Sequence, residues 1–94
     1  MNADVREVLV RARAEVEREW CKWPEIYDGG TCAYLAIVDN RTDEDATVRE
    51  DAVDVFAAAI GTRDITPWND APERTQAEVL AAFDKAIALC EQEL

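Results

Sequence analysis

Apolar residues recur at three- and four-residue steps along three long stretches of this chain. Val5, Leu9, Ala12, Val16 and Trp20 form the first stripe, with Arg6, Arg11, Arg13, Glu15, Glu17 and Arg18 on the other faces. That spacing predicts an amphipathic helix over about 4–20. Asp4 suits the N-cap, with Glu7 three residues on as in a capping box. Glu7 and Arg11 support the helix as an i,i+4 pair, whereas Glu15 and Glu19 repel each other. Pro24 stops it, because Trp23 before the proline is biased away from the α region.

The second stripe, Val48, Ala52, Val53, Phe56, Ala57 and Ile60, predicts a helix over 47–60. Thr47-Val48-Arg49-Glu50 reads as its capping box and Gly61 fits the position just past its end. The third predicts a helix over 75–93, with Leu80, Phe83, Ile87, Cys90 and Leu94 as its seam, widened by Val79, Ala82 and Ala86. Between the first two lies Cys32-Ala33-Tyr34-Leu35-Ala36-Ile37-Val38, apolar on every side, with Thr31 as N-cap. It reads as a short central helix over 32–38, although its β-branched end also suits a buried strand. The connector from Trp20 to Gly30 is rich in aromatic residues, and Asp28-Gly29 favours a tight turn. No repeat or linker divides the chain. The expectation is an all-α, compact single domain over 1–94, of about four helices at 4–20, 32–38, 47–60 and 75–93.

Ahead of the last helix stands Ile65-Thr66-Pro67-Trp68-Asn69-Asp70-Ala71-Pro72-Glu73-Arg74. Each proline fixes its own φ and pushes Thr66 and Ala71 toward extended backbone. Asn69 and Asp70 are expected to fold onto nearby backbone N–H groups and lock a turn. Thr75-Gln76-Ala77-Glu78 is a capping box. The stretch is expected to be a rigid elbow, with Asn69, Asp70, Pro72, Arg74, Thr75 and Glu78 as its structural motif. Arg74 has two expected partners, the Trp68 ring or the Asp70 carboxylate.

Charge narrows the functions. Twenty-one acidic residues against ten basic ones give a net charge of −11. Such a surface disfavours nucleic acid and anionic membranes, which need clustered Lys and Arg. It favours solubility and can steer the chain toward a basic protein surface. No apolar run nears the roughly 20 residues of a membrane span, and Asn2-Ala3-Asp4 leading into charged helix is unlike a signal peptide. Cys21, Cys32 and Cys90 form no close-spaced pair, and the chain has no histidine. Zinc ligation would need all three thiolates plus a carboxylate, so the cysteines read as small apolar residues in a reducing cytoplasm.

Candidate chemistry is sparse. Aligning Asp39 with the start of a calcium loop puts Asp43, Asp45 and Glu50 at ligand positions. However, Arg41 takes the third position, and Glu44 takes the place of the required glycine. The chain has neither histidine nor serine, which rules out a Ser/Cys–His nucleophile system. Gly29-Gly30 lacks the spacing of a phosphate loop. Non-enzymatic action without a metal or cofactor follows. The tryptophans exceed what a chain this size needs, and such residues are enriched at interface centres. Trp23, Tyr27 and Trp68 are therefore the aromatic interface candidates, with Asp43, Glu44 and Asp45 as the charged ones.

The run Trp68-Asn69-Asp70-Ala71-Pro72-Glu73-Arg74-Thr75-Gln76-Ala77-Glu78-Val79-Leu80 resembles a W-N-D-x-P-x-R-T-x-x-E-V-L pattern. That pattern ends a group of small uncharacterised proteins from actinobacteria and their phages. Cys32-Ala33-Tyr34-Leu35-Ala36-Ile37 is similar to their Cys-Ala-Leu-Gly-Ala-Leu helix, departing at Tyr34 and Ala36. The resemblance implies a domain of unknown function and an actinobacterial or actinophage source, the short acidic form favouring a phage copy. The first expectation for function is therefore a small acidic domain that binds another protein, such as a host protein if a phage encodes it. Its compartment would be the cytoplasm. A small-ligand or metal-binding module around Trp68, Asn69, Asp70 and Arg74 is the alternative. A homo-oligomer sharing the last helix's seam is a third reading.

Overall fold

The fold is organised by two antiparallel helices, α1 (Asn2–Glu19) and α5 (Gln76–Gln92). Arg6 reaches Glu91 at 3.2 Å and Arg13 reaches Asp84 at 2.7 Å, which fixes their direction and register. The computed structural model describes residues 2–22, 30–38 and 46–92. Between α1 and α5 the chain forms α2 (Ala33–Val38), α3 (Ala46–Ile60) and α4 (Ile65–Asp70). α3 packs on both long helices, while α2 touches α1, α3 and α4. The all-α expectation holds, with five helices among the described residues rather than about four. The buried-strand alternative for residues 32–38 falls away.

The core follows the stripes. Val5, Val8, Leu9, Ala12 and Val16 of α1 are buried, as are Ala52, Phe56, Ala57 and Ala59 of α3. On α5 the buried line is Val79, Ala82, Phe83, Ala86 and Cys90, and Leu80 and Ile87 are only partly covered. The seam is thus turned slightly from the one expected. Phe83 and Phe56 meet at 4.5 Å between ring centroids, and the edge of Trp68 continues the stack at 5.8 Å. Each buried phenylalanine removes enough apolar area from water to contribute roughly 1.5–3 kcal/mol.

Helix ends show where local signals were read well and where they shifted. α1 begins at Asn2, so Asp4 lies in its first turn rather than capping it, where its charge suits the helix dipole. Glu7 accepts from Arg11 at 2.9 Å as expected, and Glu15 is relieved of its repulsion by Arg18 at 2.7 Å. Asp84 holds the Arg13 guanidinium further toward its charged form, chiefly through their hydrogen bond, against the opposing effect of burial. α3 includes Thr47 one residue inside its start, and Gly61 ends it with φ 82° and its N–H on Ala57 O. That left-handed position suits glycine.

α1 ends at Glu19, one residue short of Trp20, because Trp20 pairs with Thr31 in an isolated parallel bridge. Cys21 N–H donates to Thr31 O at 2.9 Å and Thr31 N–H to Glu19 O at 2.8 Å. This engages Thr31 and moves the start of α2 along by one. Cys32 caps it instead of Thr31: its Sγ accepts from Leu35 N–H at 3.5 Å and its carbonyl from Ala36 N–H at 2.9 Å.

Candidate functional site

The expected elbow is a helix. Trp68 N–H donates to Asp64 O at 3.1 Å, so Ile65, Thr66 and Pro67 form the first turn of α4. N–H groups in a first turn have no intrahelical acceptor, so a proline there forfeits nothing. The extended backbone expected at Thr66 does not occur.

Asn69 and Asp70 therefore do not lock a local turn. Asn69 is fully buried and Asp70 is 9% exposed. The Asn69 Oδ1 accepts from Trp20 Nε1 at 2.6 Å and from Ala33 N–H at 3.1 Å. Its Nδ2 donates to Cys21 O at 3.2 Å and to Asp70 Oδ1 at 3.0 Å. One amide thus ties the end of α1 and the first N–H of α2 to α4. Among the described residues no buried side-chain nitrogen or oxygen lacks a partner.

The following residues clamp α4 onto α5. The Arg74 guanidinium lies 4.1 Å over the Trp68 ring, and its Nε donates to Trp68 O at 2.9 Å. Its Nη1 pairs with Glu78 at 3.3 Å rather than with Asp70. The Thr75–Glu78 capping box forms as expected: Glu78 N–H donates to Thr75 Oγ1 at 3.2 Å and Thr75 N–H to Glu78 Oε1 at 2.9 Å. Pro72 is exposed, and its carbonyl accepts from Lys22 Nζ at 2.9 Å. Trp68 is half-buried between Phe56 and Arg74. The donors and acceptors of Asn69 and the guanidinium of Arg74 are committed to the fold.

Sequence reasoning missed a second feature. A groove of about 450 Å³ runs between α2 and α3, with Tyr34, Val38 and Val53 as its apolar lining and Arg49, Arg63, Glu50 and Asp54 around them. Tyr34 is 39% exposed, the large hydrophobic side chain left most open among the described residues. Arg63 donates to Asp54 at 2.6 Å. A shallower hollow of about 270 Å³ shares Asp54 and Arg63 and follows Ala57 to Thr62. The groove could be found in sequence only as the departure at Tyr34, an aromatic ring on a helix otherwise made of aliphatic residues.

Trp23, Tyr27, Asp43, Glu44 and Asp45 lie outside the described residues, as does the Asp39–Asp45 part of the calcium alignment. Among the described residues no group of three His, Cys, Asp or Glu side chains converges as a metal cage. No described helix is long and apolar enough to cross a membrane. Neither a curated protein nor a solved structure matches the chain. A family profile does, over residues 1–89: the chain belongs to DUF6197, a family of unknown function.

Proposed function

We propose that this domain acts by binding another protein, without catalysis, and that the α2–α3 groove receives the partner. The observation that carries this reading is Tyr34, an exposed aromatic ring beside Val38 and Val53 with two guanidinium groups at the rim. Tyrosine and arginine are enriched among the few residues that carry most of the binding energy at protein interfaces. The net charge of −11 adds long-range attraction for a basic surface. Trp23, Tyr27 and the acidic run Asp43-Glu44-Asp45 are the remaining contact candidates. The matching compartment is the cytoplasm, that of the host if a phage carries the gene.

The ligand-module reading competes for Trp68, Asn69, Asp70 and Arg74, but a ligand there would have to displace bonds the fold already uses. Self-assembly through the expected seam finds Phe83 and Cys90 buried within one chain, which leaves Leu80 and Ile87, both partly covered, as the seam residues open to a second copy.

A photo-crosslinking residue placed at Tyr34, and in a second sample at Lys85 on the exposed face of α5, tests the groove in an actinobacterial lysate. A protein captured at 34 and not at 85 is then purified and titrated against the unmodified chain. The expected result is saturable binding that weakens at least tenfold in Tyr34→Ala. Equal capture at both positions, or affinity unchanged in Tyr34→Ala, overturns the assignment.

A further inference from the structure

We infer that Cys21 and Cys32 are a dithiol pair that oxidises to an intramolecular disulfide, joining the end of α1 to the start of α2. All three cysteines are thiols in this structure, Cys21 half-exposed and Cys32 and Cys90 buried. The Trp20–Thr31 bridge sets the geometry. Cys21 and Cys32 are the next residues along the two bridged segments, and Cys21 N–H is bonded to the carbonyl that precedes Cys32. Bridged segments run about 4.8 Å apart, and disulfide-linked residues have Cα atoms roughly 4.4–6.8 Å apart. Residues one step beyond a bridged pair also face the same side.

Gly30 shows where the Cys21 sulfur lies. A Cβ on Gly30 would collide with Cys21 Sγ and sit 2.9 Å from Cys21 Cβ. The Cys21 side chain thus lies across Gly30, two residues before Cys32 on the facing segment, in a place only a glycine leaves open. Cys90 is the wrong partner. Its neighbour Glu91 pairs with Arg6 at the far end of α1, and from Arg6 to Glu19 the helix rises about 20 Å.

A low-molecular-weight disulfide is the oxidant. The half-exposed Cys21 thiol loses its proton, and the thiolate attacks that disulfide, forming a mixed disulfide and releasing one thiolate. Cys32 then gives up its contact with Leu35 N–H and its own proton, and attacks the Cys21 sulfur. The second small thiolate leaves. In sum the protein loses two electrons and two protons, and the small disulfide becomes two thiols. The product adds a covalent link beside the two backbone bonds at Thr31, and it removes a sulfur cap from α2.

The test is to treat the reduced full chain with glutathione disulfide, block remaining thiols with N-ethylmaleimide, and analyse it by mass spectrometry. The expected product has lost two hydrogen atoms, and trypsin releases peptide 19–22 joined to peptide 23–41. Cys90 takes up the maleimide only after unfolding, and dithiothreitol reverses the change. Cys32→Ser should stop at the glutathione adduct on Cys21. Cys21→Ser should leave the buried Cys32 unmodified, which keeps the test valid if the first variant folds poorly. A wild-type chain that stops at the mixed disulfide, or that forms covalent dimers or a link to Cys90, overturns the inference.

Discussion

Over its first four turns α1 meets the rest of the molecule with aliphatic side chains and, at the margin, exposed ion pairs. Just past its end, beside the backbone bonds with Thr31, the chain meets α4 through one buried amide. From Val5 to Val16 the contact is spread over many small increments, so a replacement of similar volume can settle in. At Asn69 the contact is concentrated in four hydrogen bonds from one side chain. No other residue offers two donors and a doubly accepting oxygen at that size. The first region tolerates approximate chemistry. The second does not, because removing the amide leaves polar partners at a buried to part-buried junction without those bonds.

Asn69→Ala is the sharpest way to break this contrast. It removes the Asn69 bonds to the Trp20 indole N–H, the Ala33 N–H and the Cys21 carbonyl, and should cost about 3 kcal/mol in urea unfolding. A loss under about 1 kcal/mol would mean the junction is as forgiving as the helix seam. Trp20→Phe removes the indole N–H with its five-membered ring and keeps a six-membered one, leaving the Asn69 Oδ1 with the Ala33 N–H. Thermal melting should then report a loss of about 1–2 kcal/mol. Phe83→Leu probes the seam with a replacement near in volume, and chemical denaturation should register only about 1 kcal/mol. If it matches Asn69→Ala, the proposed difference in tolerance disappears. The smallest effect belongs to the margin: a double-mutant cycle on Arg13→Gln and Asp84→Asn should give a coupling below about 1 kcal/mol that shrinks with added salt.

The same contrast explains what could be read from the chain. The stripes of α1, α3 and α5 are repeated signals, and one misjudged residue does not erase them. The Thr75–Glu78 capping box and Gly61 are local chemistry, complete within a few residues. α4 was hidden because it is six residues long and contains Pro67, and the rule against helix before proline outweighed the licence a first turn gives. The role of Asn69 lay beyond local reasoning, since its partners outside α4 stand 36 to 49 positions away. Thr31 is a better cap than Cys32 by composition. Only the bridge to Trp20, a tertiary contact, decides between them.

The order in which a ribosome delivers these residues matters for α2. A helix of six residues cannot sustain itself in water, and the oxygen that receives its first N–H arrives 36 positions later. While the nascent chain ends before Asn69, α2 has its Cys32 cap but neither the acceptor for its first N–H nor the α4 surface it packs on. α2 therefore acquires its packing only after α4 has been made, and a chain truncated before Asn69 would present Ala33, Ala36 and Ile37 to whatever chaperone or protease attends the exit tunnel.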